Sequence, residues 1–270
     1  NLALSSNAYG IYVSTAANGS NSSFSNFHSF SNISVSGGTY GLYILTNASA
    51  GALAFSNNHT FSNITISGTT YGIYVLTNAT GWANATSNAY SLSNITIDGG
   101  AYGIYWHTYS GSMSDWIRTA AYSRYHSFRD ISITGAPYGI YFPLSSPNAG
   151  SFPQSLVYVE NYTFSNISIS NASVSAFHMN TTLYNTYGGY SKTFADRWSF
   201  SRMFISNTAN GIWLNRVDMV EGANYTFSNI SISNALRGFN LAIICNSGFF
   251  TPAFDNNIFS GITINDSIDA

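Results

Sequence analysis

Residues Phe61–Leu76 read FSNITISGTTYGIYVL. Ile64 and Ile66 alternate with Thr65, the period-2 pattern of a strand with one buried face. Ser67-Gly68-Thr69-Thr70 is turn chemistry, and Tyr71-Gly72 opens a second run, Ile73-Tyr74-Val75-Leu76. The unit returns from Phe30, Leu92, Phe128, Phe164, Phe200 and Phe227. A truncated copy begins at Phe259, and a headless one places Asn1-Leu2-Ala3-Leu4 before Tyr9-Gly10-Ile11-Tyr12. No unit of this size buries its apolar face alone, whereas stacked units bury a continuous column. The chain is therefore expected to form one all-β domain over residues 1–270. Its form should be a parallel β-helix, or β-solenoid, of about eight coils with long variable loops.

Charged residues make up 7% of the chain, far below the roughly 25% of an ordinary soluble domain, so Asn, Ser, Thr and Tyr must build the surface. Net charge is −2 with eight Lys and Arg, which leaves no basic patch to neutralise phosphates and argues against nucleic-acid binding. The single cysteine, Cys245, follows Ile243 and Ile244 and reads as a buried thiol. No His/Cys spacing suggests a metal and no apolar run is long enough to span a membrane. Opening on Asn1 rather than Met fits a processed product. Sixteen Asn-x-Ser/Thr triplets in a nearly uncharged chain point to an extracellular, N-glycosylated protein, with covalent glycans and no other cofactor.

Counting from the leading Phe as position 0, positions −2 and 0 share a face: His28/Phe30, His59/Phe61, Tyr90/Leu92, His126/Phe128, Tyr162/Phe164, Trp198/Phe200 and Tyr225/Phe227. Positions 3 and 5 are apolar but of opposite parity, so the chain must bend at position 2. That position holds Asn32, Asn63, Asn94, Asn166 and Asn229, and Asn tolerates the left-handed conformation a bend needs. Position 11 is Gly in every full copy except one, where counting places Ser175. Position 13 should face outward as an aromatic stripe: Tyr12, Tyr43, Tyr74, Tyr105, Tyr141, Phe177 and Trp213. The segments Ser14–Ser25, Thr46–Asn58, Thr77–Asn88, Thr108–Arg124, Ser145–Glu160, Thr181–Arg197, Asn215–Ala223 and Asn246–Asn256 read as polar loops.

The unit Phe-x-Asn-Ile-x-Ile, turn, x-Gly-Ile-x-Val resembles the right-handed parallel β-helix repeat of pectate-lyase-like proteins, above all the coil repeats of archaeal and bacterial surface proteins. Right-handed coiling also agrees with the crossover rule for parallel strands. The resemblance implies that the position-2 asparagines form an internal ladder. It also raises polysaccharide cleavage, which needs clustered carboxylates or a basic proton abstractor. The acids here are Asp98, Asp115, Asp130, Glu160, Asp196, Asp218, Glu221, Asp255, Asp266 and Asp269, scattered over different coil positions and loops. Arg129-Asp130 and Asp196-Arg197 read as local ion pairs, and His28, His59 and His126 as a stacked ladder rather than a metal site.

The expected role is a structural, non-enzymatic subunit of an extracellular filament, sheath or surface coat. The alternatives are a glycan-binding adhesin or viral fibre segment reading sugars along the stripe, and an ice-binding solenoid. Glycans are expected on Asn18, Asn21, Asn47, Asn58, Asn78, Asn84, Asn161, Asn180 and Asn224, with the position-2 asparagines mostly bare. The stripe should be covered by the chain's own loops or a neighbouring subunit. The partner is expected to be the chain itself in a head-to-tail polymer, with Phe259, Ile262 and Ile264 of one copy stacking against Asn1, Leu2 and Leu4 of the next.

Overall fold

A computed structural model describes residues 2–5, 8–111, 118–148, 154–185, 190–217, 220–221, 224–244 and 257–266. The chain is all-β and coils as a parallel solenoid. One full turn runs through the strands Thr60–Ser67, Tyr71–Thr80 and Asn84–Asn88 before the next begins at Ser91. Each inner strand pairs in parallel with its equivalents one coil below and one coil above, as Thr60–Ser67 does with Ser29–Ser36 and Ser91–Asp98. The register is residue for residue along each column: Ile33, Ile64, Ile95, Ile131 and Ile167 are successive partners.

The leading strands and the Gly-Ile strands form two faces, joined where Trp198–Val217 and Tyr225–Ile244 run through both without a break. The third face corrects the sequence reading. The supposed loops Ser14–Ser25, Thr46–Asn58, Thr77–Asn88, Thr108–Arg124, Ser145–Glu160 and Thr181–Arg197 lengthen the second strand and then supply a third. That strand is seen at Ser22–Asn26, Leu53–Asn57, Asn84–Asn88, Arg118–Arg124, Gln154–Glu160 and Tyr190–Asp196. In the early coils the inward residues from the end of the second strand through the third are small: Ala48, Ala52, Ala54 and Ser56 are fully buried, as are Ala79, Ala83, Ala85 and Ser87. Ala, Ser and Asn have weak strand propensity, so packing rather than intrinsic preference makes these segments strands. Cys245, Asp115, Asp218, Asp255, Asp269, Asn1 and the segment Asn246–Asn256 lie outside the described residues.

The bend at position 2 is a left-handed residue wherever it is described: φ is 56° at Asn32, 53° at Asn63, 51° at Asn94, 55° at Asn166 and 53° at Asn229. Two further corners use the same device. One runs through Asn58, Tyr125, Asn161 and Arg197, the other through Gly37, Gly68, Gly99, Gly135, Asn171, Asn207 and Asn234. Asn and Gly recur at these corners because side chains with a bulky or branched Cβ pay most for positive φ.

Position 11 demands glycine for another reason, close approach. A Cβ on Gly72 would sit 2.6 Å from Cγ2 of Ile97 and 2.5 Å from the carbonyl oxygen of Gly103. The turn after Phe164 holds one residue more than its neighbours, so Tyr138 pairs with Ser175 and Ile140 with Phe177. Ala176, not Ser175, therefore occupies the glycine column.

The interior is an aromatic and aliphatic column. Phe128, Phe164, Phe200 and Phe227 stack at 4.7–4.9 Å, and Trp106, Trp198, Tyr90, Tyr162 and Tyr225 fill the corner beside them. Face-to-face neighbours one coil apart follow from in-register parallel pairing, which puts identical side chains at the inter-strand spacing.

Candidate functional site

The second face carries the most unusual surface. Position 13 holds Tyr12, Tyr43, Tyr74, Tyr105 and Tyr141, whose rings follow one another at 5.3, 5.0, 4.9 and 5.5 Å. The column continues through His178 to Trp213, with centroids 5.0 and 4.3 Å apart. Phe177, assigned to the stripe from the sequence, is corrected: it is fully buried in the core, because the extra turn residue shifts the count by one and turns His178 outward.

Position 10 supplies a parallel column that the sequence reading missed. Tyr9, Tyr40, Tyr71, Tyr102 and Tyr138 stack at 5.0–5.2 Å. The two columns face the same way because Gly and the next residue are both buried between them, as Gly72 and Ile73 are. They interlock edge-on: Tyr40–Tyr43 at 4.9 Å and 63°, Tyr71–Tyr74 at 5.2 Å and 88°, Tyr102–Tyr105 at 5.0 Å and 84°. The recurring dipeptide Tyr-Gly was the available signal.

The expected cover over the stripe is thus supplied largely by the rings themselves. Tyr43, Tyr74 and Tyr105 are half-buried, while Tyr9 and Tyr12 in the outermost described coil remain 45% and 52% exposed. Burial, then the neighbouring phenols, pushes Tyr43 up to about 12 and raises Tyr74 and Tyr105 further, so these three phenols stay protonated near neutral pH. From Tyr43 to Tyr105 and from Tyr40 to Tyr102, ring faces stack on ring faces.

The position-2 asparagines do form hydrogen bonds from coil to coil, but on the outside. Asn63 Nδ2 donates to Asn32 Oδ1 at 3.3 Å, Asn94 to Asn63 at 2.6 Å and Asn166 to Asp130 at 2.7 Å, all on exposed residues. The internal placement implied by the family resemblance is corrected: parity turns Ile64 and Ile66 inward and leaves Asn63 at an outward corner. Asn229 is exposed at the same corner, next to Gly261, which has no side chain to continue the ladder. A second outer ladder joins Asn207 to Asn171 at 3.1 Å and Asn234 to Asn207 at 2.7 Å.

The expected glycosylation sites divide. Asn18, Asn21, Asn58 and Asn224 are exposed. Asn47, Asn78 and Asn180 are corrected from loops to strand positions, half-buried on the tyrosine face, with Asn78 Nδ2 donating to Asn47 Oδ1 at 2.7 Å. Asn84 opens a strand and is half-buried. Asn161 shares the corner of Asn58, yet its Nδ2 is enclosed without a partner.

Asp130, Glu160 and Asp196 are held in ion pairs. Glu160 Oε2 lies 3.3 Å from Arg124 Nε and 3.5 Å from Arg197 Nη2, and Asp196 Oδ2 lies 3.3 Å from Arg197 Nε. Arg129 pairs with Asp130 at 3.4 Å. Among the described residues no group of His, Cys, Asp and Glu is arranged to hold a metal. His59 and His126 lie fully buried in the stacked inner column, His28 exposed at its end.

Leu2 and Leu4 pair with Ile33 and Val35, and Ile262 and Ile264 with Ile230 and Ile232. Among the described residues Leu2–Ser5 and Ile258–Asn265 each pair along one side, with Leu2 52% and Phe259 48% exposed. No helix of the described chain is long and apolar enough to cross a membrane. No family model, curated protein or solved structure matches the chain.

Proposed function

We propose that this chain is a structural, non-enzymatic rod: an N-glycosylated subunit of an extracellular filament, sheath or surface coat that associates with further copies through its coil ends. The observation that carries this reading is the in-register stacking of coil on coil throughout the described residues, a regular column that a further copy can extend. An unpaired edge of a parallel solenoid is a template for one more coil. Leu2 and Ile262 occupy equivalent columns, so a second copy can continue the apolar stack by translation along the axis, a heterologous contact that propagates. The scarcity of charge and the sixteen triplets support an extracellular setting.

The test is light scattering and negative-stain microscopy of the full chain over a range of concentrations, beside a version ending at residue 258. Rods that lengthen with concentration in the full chain alone support the reading. Single rods of one length at every concentration overturn it.

A glycan-binding reading retains one specific foothold. Carbohydrates stack on ring faces, and Tyr9 and Tyr12 are the most exposed rings of the described ladder. Binding on a glycan array that disappears in a Tyr9→Ala/Tyr12→Ala variant would favour it.

A further inference from the structure

The two tyrosine columns place oxidisable phenols in contact from coil to coil. We propose that this ladder is a site of oxidative cross-linking, in which ortho carbons of tyrosines on adjacent coils join as dityrosine, first between Tyr9 and Tyr40 and between Tyr12 and Tyr43. These two pairs combine ring contact, 5.2 and 5.3 Å between centroids, with the most exposed rings of the ladder. The inference rests on ring geometry and stands whether or not the rods polymerise.

The chemistry balances with hydrogen peroxide as the oxidant and a haem peroxidase as its catalyst. Each of two phenols loses one electron and its hydroxyl proton. The resulting phenoxyl radicals couple through a new carbon–carbon bond between ortho positions, and each ring then moves its ortho C–H hydrogen to oxygen to regain a phenol. Peroxide takes up the two electrons and two protons and leaves as two waters. Dense contact favours this outcome over slower side reactions. A radical on Tyr71 touches Tyr40, Tyr74, Tyr102 and Tyr105, all within 5.6 Å, so the unpaired electron can pass along the columns until it meets a second one.

Several other described tyrosines lack one requirement each. Tyr90, Tyr162 and Tyr225 are fully buried. Tyr125 is exposed and has no ring contact among the described residues. Tyr122 and Tyr158 stack at 4.8 Å, but the Arg124 guanidinium lies over both rings, 4.5 and 4.9 Å from their centroids, and opposes removal of an electron. A bond between Tyr9 and Tyr40 closes a 31-residue loop, so it would staple one coil to the next and narrow the unfolded ensemble.

The full chain is treated with hydrogen peroxide and horseradish-type peroxidase, and cross-linked peptides are mapped by mass spectrometry at a dilution where copies rarely meet. The expected result is intrachain dityrosine mainly within the ladder, with Tyr9–Tyr40 and Tyr12–Tyr43 peptides foremost and a rise in Tm of roughly 5–10 °C. A Tyr9→Phe/Tyr12→Phe variant keeps the stacking and should lose at least half of the early dityrosine fluorescence. The proposal is overturned if that variant reacts like the parent, if most dityrosine maps to Tyr122, Tyr125 or Tyr158, or if urea-unfolded chain cross-links as fast as the folded one.

Discussion

His126 Nδ1 accepts the backbone N–H of Tyr90 on the preceding coil at 3.1 Å, while its Nε2 meets the Ser123 hydroxyl at 3.1 Å. The acceptor role of Nδ1 assigns the ring proton to Nε2. His59 repeats the arrangement, with Nδ1 accepting from His28 N at 3.2 Å and Nε2 beside Ser56 Oγ at 2.9 Å. A second proton would set an N–H against an N–H inside the coil junction.

This arrangement makes the rod acid-sensitive. Burial pushes His126 down to about 3, and burial followed by the neighbouring His28 pushes His59 down to about 4, both from 6.5. The unfolded chain therefore binds more protons than the folded one below pH 6.5. Stability is complete above that pH and falls as pH drops toward 4 and then 3. The loss from His126 is on the order of 5 kcal/mol at its limit. Urea midpoints at pH 7.5, 5.5 and 4 should decline stepwise, and more shallowly in a His126→Tyr variant. Equal midpoints for the parent at pH 7.5 and 4 would contradict this account.

Gly72→Ala should destabilise the rod by about 1–3 kcal/mol, because the added methyl meets Ile97 Cγ2 at 2.6 Å and backbone oxygen at 2.5 Å. Gly19→Ala is the informative comparison. A Cβ there meets nothing within 4 Å, so only its positive φ, 68°, costs anything, about 1 kcal/mol. Thermal melts of the two variants should rank accordingly, with Gly72→Ala the worse.

Glycan occupancy should follow access to Nδ2 and crowding. Asn18, Asn21, Asn58 and Asn224 are expected to carry glycans, and Asn161, whose Nδ2 is enclosed, to be bare. Asn32, Asn63 and Asn94 are exposed but sit one coil apart, roughly 4.8 Å, which is too close for a glycan on each. Glycopeptide mass spectrometry should find no chain with Asn63 and Asn94 both occupied. A majority of such chains would refute the crowding argument.

Glu160→Gln should cost about 1 kcal/mol in chemical denaturation, since Glu160 offsets two guanidiniums, the half-exposed Arg197 and the more enclosed Arg124. Arg124 retains the Tyr122 and Tyr158 rings, which limits the loss. Arg129→Ala, at a pair with exposed side chains, should change stability by less than about 0.5 kcal/mol.

Periodicity alone determined the repeat, the two apolar strands of each coil and the bend at Asn63, because strand alternation and the left-handed tolerance of Asn are local properties. The need for glycine beside Tyr71 was likewise legible in the recurrence of Tyr-Gly. Tertiary structure decided the rest. Ala54 and Ser56 became a third strand only because neighbouring coils supply hydrogen-bond partners and a narrow interior for small side chains. The single extra turn residue before Phe177 exchanged it with His178, since register is set by pairing between coils and not by counting along the chain. The outward position of Asn63 and the union of Tyr71 with Tyr74 into one surface depend on how the backbone turns at two corners, which no residue specifies without its neighbours 31 positions away.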